Sequence, residues 1–233
     1  MSSVPILVVG DPHGKWSRLH DACRESSAVG RILLLGDYDL KQPLAQILAT
    51  EIAAGWQVNW IIGNHDSDSV AEYVNLTESL PDRNIGSQWT SADSLIIGGL
   101  GGTYRDKIWY PRYQDSNPPR YRTRTDYLRQ VRPTDRFRGG VPLGLRSAIW
   151  PEDHEALTEF RLDVLLSHEC PTTVAMRDKG FLGLTELLDS TGARLSVHGH
   201  HHKHYVEDLV LPSGRVCRVV GLGIGDVWEL EMP

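Results

Sequence analysis

Cysteine is scarce in this chain: three in 233 residues (Cys23, Cys170 and Cys217), with no CxxC pair. That excludes a disulfide framework and a thiolate-held metal site, and it fits a reducing, cytoplasmic setting. No apolar run approaches the roughly 20 residues that span a bilayer, so no membrane partner is expected. The N-terminal run Ile6 to Val9 is only about a strand long, and neither a basic n-region nor a small-residue cleavage site accompanies it. A signal peptide is therefore not expected. Internal repeats and low-complexity tracts are missing as well. The glycines of Gly98 to Gly102 lack the G-x-G-x-x-G spacing of a dinucleotide fingerprint and read as a tight loop carrying the chain past a site. Apolar residues make up 40% and charged residues 23%, which excludes a disordered chain. The length suits one domain with a substantial core. What the chain does have is histidine, ten in all and unevenly spread.

The first hundred residues alternate strand and helix signals. Val4 to Val9, Ile32 to Leu35 and Val58 to Ile62 read as strands. Trp16 to Glu25 and Leu44 to Ala54 read as helices. This β-α-β-α-β order predicts a parallel sheet with crossover helices. Farther on, Leu95 to Ile97, Leu162 to Leu166 and Leu195 to Val197 read as strands and Leu182 to Leu188 as a helix stopped by Gly192. Tyr205 to Leu211, Arg215 to Val220 and Val227 to Leu230 have hairpin character, with Pro212-Ser213-Gly214 as a turn.

Polar clusters close the strands: Asp11-Pro12-His13, Gly36-Asp37, Gly63-Asn64-His65-Asp66, Ser167-His168-Glu169 and Gly199-His200-His201-His202. Ligands of open α/β sheets bind at the carboxyl ends of parallel strands. Seven of these side chains are oxygen or nitrogen metal ligands: Asp11, His13, Asp37, Asn64, His168, His200 and His202. Such a donor set suits Mn, Fe, Zn, Co or Ni, with Mn favoured, and disfavours a cluster held by cysteine. Seven ligands are too many for one catalytic ion with an open position, but they suffice for two ions if a carboxylate bridges. Capping of the following helices would account for the Asp and Asn residues but not for the histidines. Of the other five, His20 and His154 sit in helix-like segments and read as surface residues. His198, His201 and His204 flank the last motif and read as supporting groups at most.

The ordered set D-x-H, G-D, G-N-H-D, S-H-E and G-H-x-H, spanning residues 11 to 202, resembles the calcineurin-like metallophosphoesterase superfamily. The resemblance implies an α/β four-layer sandwich of two mixed β-sheets flanked by helices. It places one divalent ion on Asp11, His13, Asp37 and His202, and the other on Asp37, Asn64, His168 and His200, with Asp37 bridging. It gives the nucleophile as a metal-bridging hydroxide, His65 as the catalytic group that assists the leaving oxygen, and Asp66 as the group that orients His65. The second motif, Gly36-Asp37-Tyr38-Asp39-Leu40, departs from the common G-D-x-x-D-x-G. No Arg follows it at the place where phosphoprotein phosphatases hold phosphate, which weighs against that substrate class.

Thr103 to Trp150 stands apart as an insertion. It carries ten Arg and one Lys against four Asp, and eight of the eighteen aromatics. The net charge of −6 thus divides into +7 here and −13 elsewhere. Arginine interleaved with aromatics suits a phosphate-holding or strand-tracking surface, and a salt-bridged lid would use the same composition. Arg105, Arg112, Arg120, Arg122 and Arg124 are the candidate substrate contacts. The stretches Ile97 to Arg105, Pro118-Pro119-Arg120-Tyr121 and Leu165 to Pro171 look like the RNA lariat-debranching branch of the superfamily. That branch often carries Cys in place of Asp11 and Glu in place of Asp66. The expectation is a dinuclear phosphoesterase acting on a phosphodiester, with RNA or a nucleotide as candidate substrate. The alternatives are a phosphomonoesterase acting on small molecules or phosphoproteins, and an inactive metal-binding scaffold.

Overall fold

The computed structural model describes residues 4–114, 116 and 118–233. Its first sheet has four strands in the order β10-β1-β2-β3. β1 (Ile6–Val9), β2 (Arg31–Leu34) and β3 (Gln57–Trp60) run parallel, and β10 (Val227–Glu229) lies antiparallel against β1. The second sheet has six strands in the order β4-β5-β6-β7-β9-β8. Here β5 (Leu95–Leu100), β6 (Val164–Ser167), β7 (Leu195–His198) and β9 (Val216–Gly221) run parallel. β4 (Gln88–Ala92) and β8 (Tyr205–Val210) close the edges antiparallel.

Both faces of the central strands are buried, which explains why β1, β2, β6 and β7 read as nearly continuous apolar runs. The alternation of strand side chains then sorts them by layer. Ile6, Val8, Leu33 and Leu35 face Ile97, Val164, Leu166, Val197 and Val220 of the other sheet and form the central core. The intervening Leu7, Val9, Ile32 and Leu34 point outward to Leu19 of α1 (Ser17–Glu25), Leu44 of α2 (Leu44–Ile47), Leu48 and Leu76 of α4 (Val70–Thr77). On the far side, Leu165 and Cys217 pack on Leu157 of α6 (Pro151–Thr158) and on Leu184, Leu187 and Leu188 of α7 (Leu182–Thr191). The result is the expected helix–sheet–sheet–helix sandwich.

Two elements differ from expectation. The single helix over 44–54 is two short ones, α2 and α3 (Ala49–Ala54), broken at Leu48, whose φ of −100° and ψ of 21° leave the helical range. The break coincides with full burial of Leu48, and α3 carries Glu51, buried, within 2.7 Å of His20 Nδ1. Gly98 and Gly99 are not loop residues but the middle of β5. A Cβ on Gly99 would lie 2.6 Å from the Ile85 carbonyl oxygen, so glycine admits the segment packed against the strand.

The 103–150 segment has a small core of its own, Ile108, Val141, Ala148 and Trp150, and one short helix, α5 (Arg124–Leu128). Its two ends are joined: Thr103 N–H donates to Ser147 O (2.9 Å), and Ile149 N–H donates to Thr103 O (3.0 Å). Leu33→Ala would remove a fully buried side chain from the central core. It should lower unfolding free energy by about 2–5 kcal/mol in urea titrations, through lost burial and the cavity left behind.

Candidate metal centre

The ends of β1, β2, β6 and β7, with the loop after β3, deliver the ligand-type side chains to one point. All seven residues singled out as ligands meet there in an unbroken series of contacts. Asp11 Oδ2 is 3.7 Å from His202 Nε2, which is 3.1 Å from His13 Nε2. His13 Nε2 is 4.0 Å from Asp37 Oδ2, and His168 Nε2 approaches Asp37 Oδ2 (3.4 Å) and Asn64 Oδ1 (3.0 Å). Ligand atoms of Asp37, His168 and His200 all lie within 4.8 Å of one another.

The backbone is bent to achieve this. Among the described residues, ten non-glycine residues have positive φ, and five of them are in this set: Asp11 (32°), His13 (42°), Asp37 (55°), His200 (66°) and His202 (54°). Such conformations cost about 1–3 kcal/mol each and persist only where surroundings enforce them. Glycine supplies the room. A Cβ on Gly63 or Gly199 would come within 2.3 Å of Asp37 Oδ1 or Asp11 Oδ1, respectively.

The electrostatics call for cations. Asp11 is fully buried, and neither carboxylate oxygen has a hydrogen-bond partner among the described residues. Burial, aided by the nearby Asp37 carboxylate, pushes its pKa up to about 7 against the opposing pull of His168. An uncompensated buried carboxylate is strongly unfavourable unless it is paired, protonated or bound to metal. Asp37 goes the other way: burial raises its pKa, but the hydrogen bond and charge of His168 outweigh that and hold it below the usual carboxylate range. His168 is fully buried, and its Nδ1 donates to Leu35 O at 2.8 Å. Despite burial, the hydrogen bond and charge of Asp37 raise the His168 pKa to about 10, so without metal Nε2–H lies against Asp37 Oδ2 and Asn64 Oδ1. With Nδ1 kept on Leu35 O, Nε2 is the atom that a metal ion would take in place of that proton. Burial drives His200 down to about 3, keeping it neutral and able to donate a lone pair. Orphaned carboxylate oxygens, a fixed imidazole and a mixed O/N donor set fit divalent metal ions.

His65 stands beside the cluster, its ring centroid 6.2 Å from that of His13, with its side chain 60% exposed. The carboxylate that orients it is not Asp66. Asp66 is buried and accepts backbone N–H groups of Asp37 (2.9 Å), Tyr38 (2.8 Å) and Gly63 (2.7 Å), so it ties the Asp37 loop to the Asn64 loop. The group that meets His65 Nδ1, at 2.7 Å, is Asp68 Oδ2, and this hydrogen bond is the main cause of a raised His65 pKa. A 3-10 turn over His65–Ser67 brings residue i+3 beneath residue i and turns i+1 inward. The signal for Asp68 was the i,i+3 spacing, which only a helical turn makes meaningful.

The flanking histidines also find places. His198 is buried between Gly199 O and the Tyr205 hydroxyl. His201 Nε2 lies 3.8 Å from Oε2 of the buried Glu169, and His204 faces Asp226 at 3.2 Å. His154 is half-buried rather than on the surface, its Nε2 2.7 Å from the Tyr104 hydroxyl.

The five candidate arginines separate. Arg122 pairs with Glu155, and Arg124 with Glu152 (2.8 Å) and Asp153 (2.8 Å). Arg120 lines a different cleft, with Ile108 and Trp109. Arg105 and Arg112 line a cleft that includes Asn64 and His200. The 103–150 segment is fastened to the centre through Ser147, whose Oγ donates to Asn64 O (3.3 Å) and meets Ser67 Oγ (2.7 Å).

Residues 4–204 match the family described as calcineurin-like phosphoesterase. The chain is 33% identical over 202 residues to an uncharacterized protein of Haemophilus influenzae, covering 86% of this chain and 84% of that one. Its fold is similar to that of TT1561 of Thermus thermophilus. The TM-score is 0.58 at 16% identity, with 96% of this chain and 90% of that one covered. Among the described residues, no helix is long and apolar enough to cross a membrane.

Asp66→Ala and Asp68→Ala should differ in metal retention. Elemental analysis after dialysis should show Asp66→Ala depleted of metal, because two ligand loops lose their common anchor. Asp68→Ala should stay loaded; equal depletion in both would contradict this division of labour.

Proposed function

This chain belongs to the calcineurin-like phosphoesterase family, metal-dependent hydrolases of phosphoric esters, and on that basis we propose that it cleaves a phosphodiester, in RNA or a nucleotide, at a dinuclear centre. The observation that carries the reading is the convergence of seven ligand side chains around Asp11, a buried carboxylate without a hydrogen-bond partner among the described residues. Asp11, His13, Asp37 and His202 would hold one ion, and Asp37, Asn64, His168 and His200 the other, with Asp37 common to both. Mn²⁺ suits this mixture of carboxylate, imidazole and amide donors. When bound, such a pair supplies Lewis acidity and lowers the pKa of coordinated water.

The protein's own groups supply the rest. Asp66 holds the two central loops in register through its three backbone hydrogen bonds. Asn64 is positioned from behind by Ser147. His65 takes the role of general acid. Its Nδ1 is engaged by Asp68, which leaves Nε2 to give a proton to the departing alkoxide. A diester's leaving alkoxide needs that proton, and an exposed imidazole at the rim is available to a bulky substrate. Phosphoprotein substrates are disfavoured by the segment after Asp37. No Arg follows there, and Lys41, the first cation after Asp37, is turned to Asp39 (2.6 Å).

Turnover by the Mn²⁺-loaded protein should be compared for bis(p-nitrophenyl) phosphate, p-nitrophenyl phosphate, cyclic nucleotides and a 2′-5′-linked oligonucleotide. Diester hydrolysis is expected to dominate; rapid monoester turnover without diester turnover would refute the preference. His65→Ala should retain metal and lose ~10²- to 10⁴-fold in kcat, the usual worth of general acid catalysis. Asp37→Ala should lose metal and activity together.

A further inference from the structure

The cleft beside the metal centre has an unmet demand for a ligand. It encloses about 360 Å³ and shares Asn64 and His200 with the ligand cluster. Three cations line it, Arg105 and Arg112 from the insertion and Lys179 from the loop before α7, against two carboxylates, Glu169 and Asp178. Among the described residues, neither Arg105 nor Arg112 has a carboxylate within salt-bridge distance. By contrast Arg122, Arg124, Arg129, Arg132 and Arg138 of the same insertion each have one. Arg120, Arg136 and Arg146 also lack a carboxylate among the described residues, but Arg136 and Arg146 donate to backbone carbonyls and Arg120 lines another cleft. Arg105 and Arg112 are thus the unpaired arginines of the segment that stand beside the ligand cluster.

Hydrogen bonding repeats the contrast. Thirteen buried side-chain polar atoms lack a partner among the described residues, and five of them belong to residues lining this cleft. They are Thr103 Oγ1, Arg105 Nε, Arg112 Nε, Glu169 Oε2 and His201 Nε2. Glu169 Oε2 and His201 Nε2 lie 3.8 Å from each other, which leaves Thr103 Oγ1, Arg105 Nε and Arg112 Nε. Buried polar groups are normally satisfied, so three unmet donors in one cleft point to an absent acceptor. The Arg112 guanidinium is held in place: it donates to the Tyr110 hydroxyl (3.1 Å) and lies 5.7 Å from the Phe181 ring centroid. A guanidinium anchored on an aromatic ring loses less freedom on binding an oxyanion than a free surface one does.

We propose that this cleft is a second anion subsite, in which Arg105, Arg112 and Lys179 bind a phosphoryl group of the substrate other than the one being cleaved. The substrate class is then a phosphodiester bearing an additional phosphate, such as a terminally phosphorylated dinucleotide. This rests on the phosphodiester reading above but can fail separately from it.

The test compares a dinucleotide with and without a 5′-phosphate, since the scissile bond is the same in both. The Mn²⁺-loaded wild-type protein should show higher kcat/KM for the phosphorylated form. In R105Q/R112Q that preference should fall by about 10- to 100-fold, the usual effect of losing charge-assisted hydrogen bonds. R129Q/R132Q, which removes the same charge from ion pairs elsewhere in the insertion, should keep the preference. In parallel, calorimetric titration of the metal-free protein with inorganic pyrophosphate should show binding that R105Q/R112Q weakens by a similar factor. No preference in the wild type, or a preference surviving in R105Q/R112Q, would overturn the subsite. Should the loaded protein cleave neither dinucleotide nor bis(p-nitrophenyl) phosphate, the hydrolytic reading fails and the pyrophosphate titration alone decides the subsite. Binding that is equal in wild type and R105Q/R112Q would then refute it.

Discussion

Two carboxylates, Asp11 and Asp37, are buried close together at the ends of adjacent parallel strands, and the rest of the molecule is organised around that unfavourable arrangement. Each raises the other's cost through charge repulsion in a poorly solvated place. The protein does not relieve the conflict by moving them apart. It bends the backbone into positive φ at both aspartates and at His13, His200 and His202, places glycines where the chain must approach the carboxylates, and inserts the His168 imidazole between them. The two packed sheets make this possible, since a rigid core on both faces of each strand gives the strand ends fixed positions. Divalent cations would resolve that conflict, so a capacity to hold metal and the strain in the backbone would have a common origin.

Much of this was legible in residue order. Apolar runs of strand length, each followed by a short cluster of Asp, His or Asn, located the sheets and the side chains that converge at their strand ends, because strand alternation and strand-end placement are local properties. What was not legible depended on three-dimensional choice. Asp66 is adjacent to His65 and looked like its partner, yet the 3-10 turn sends Asp66 inward to three amides and brings Asp68 to the imidazole. Strand β4 is polar and edge-placed, so its sequence lacks the apolar run that marked the others. The helix over 44–54 kept its periodicity in sequence while the chain broke at Leu48. His154 read as a surface residue because nothing near it in sequence announces Tyr104.

The insertion shows the same division. Its composition identified a charge of +7 but not how that charge is spent. Half of the answer is structural: several arginines form exposed ion pairs, which contribute only about 0–1 kcal/mol each but fix where side chains lie. The other half is positional. Arg105 and Arg112, which have no carboxylate partner among the described residues, line the cleft next to Asn64 and His200. Mean charge, and even charge per segment, is therefore a weaker guide to a polyanion site than the list of cations without partners.

The root of the insertion carries a consequence for descent. Thr103 is hydrogen-bonded to Ser147 and Ile149, so the segment leaves and re-enters the body through one narrow gate. Chain length beyond such a gate is thermodynamically cheap, about 0.6 kcal/mol per doubling of a flexible loop. Length changes at the outer turns leave that gate in place, whereas Tyr104, packed with Leu165 and Leu184 of the body, and Ser147, which supports Asn64, are fixed points. The segment and the strand ends can thus change at different evolutionary rates within one chain, the first as an exchangeable cassette and the second as a fixed chassis.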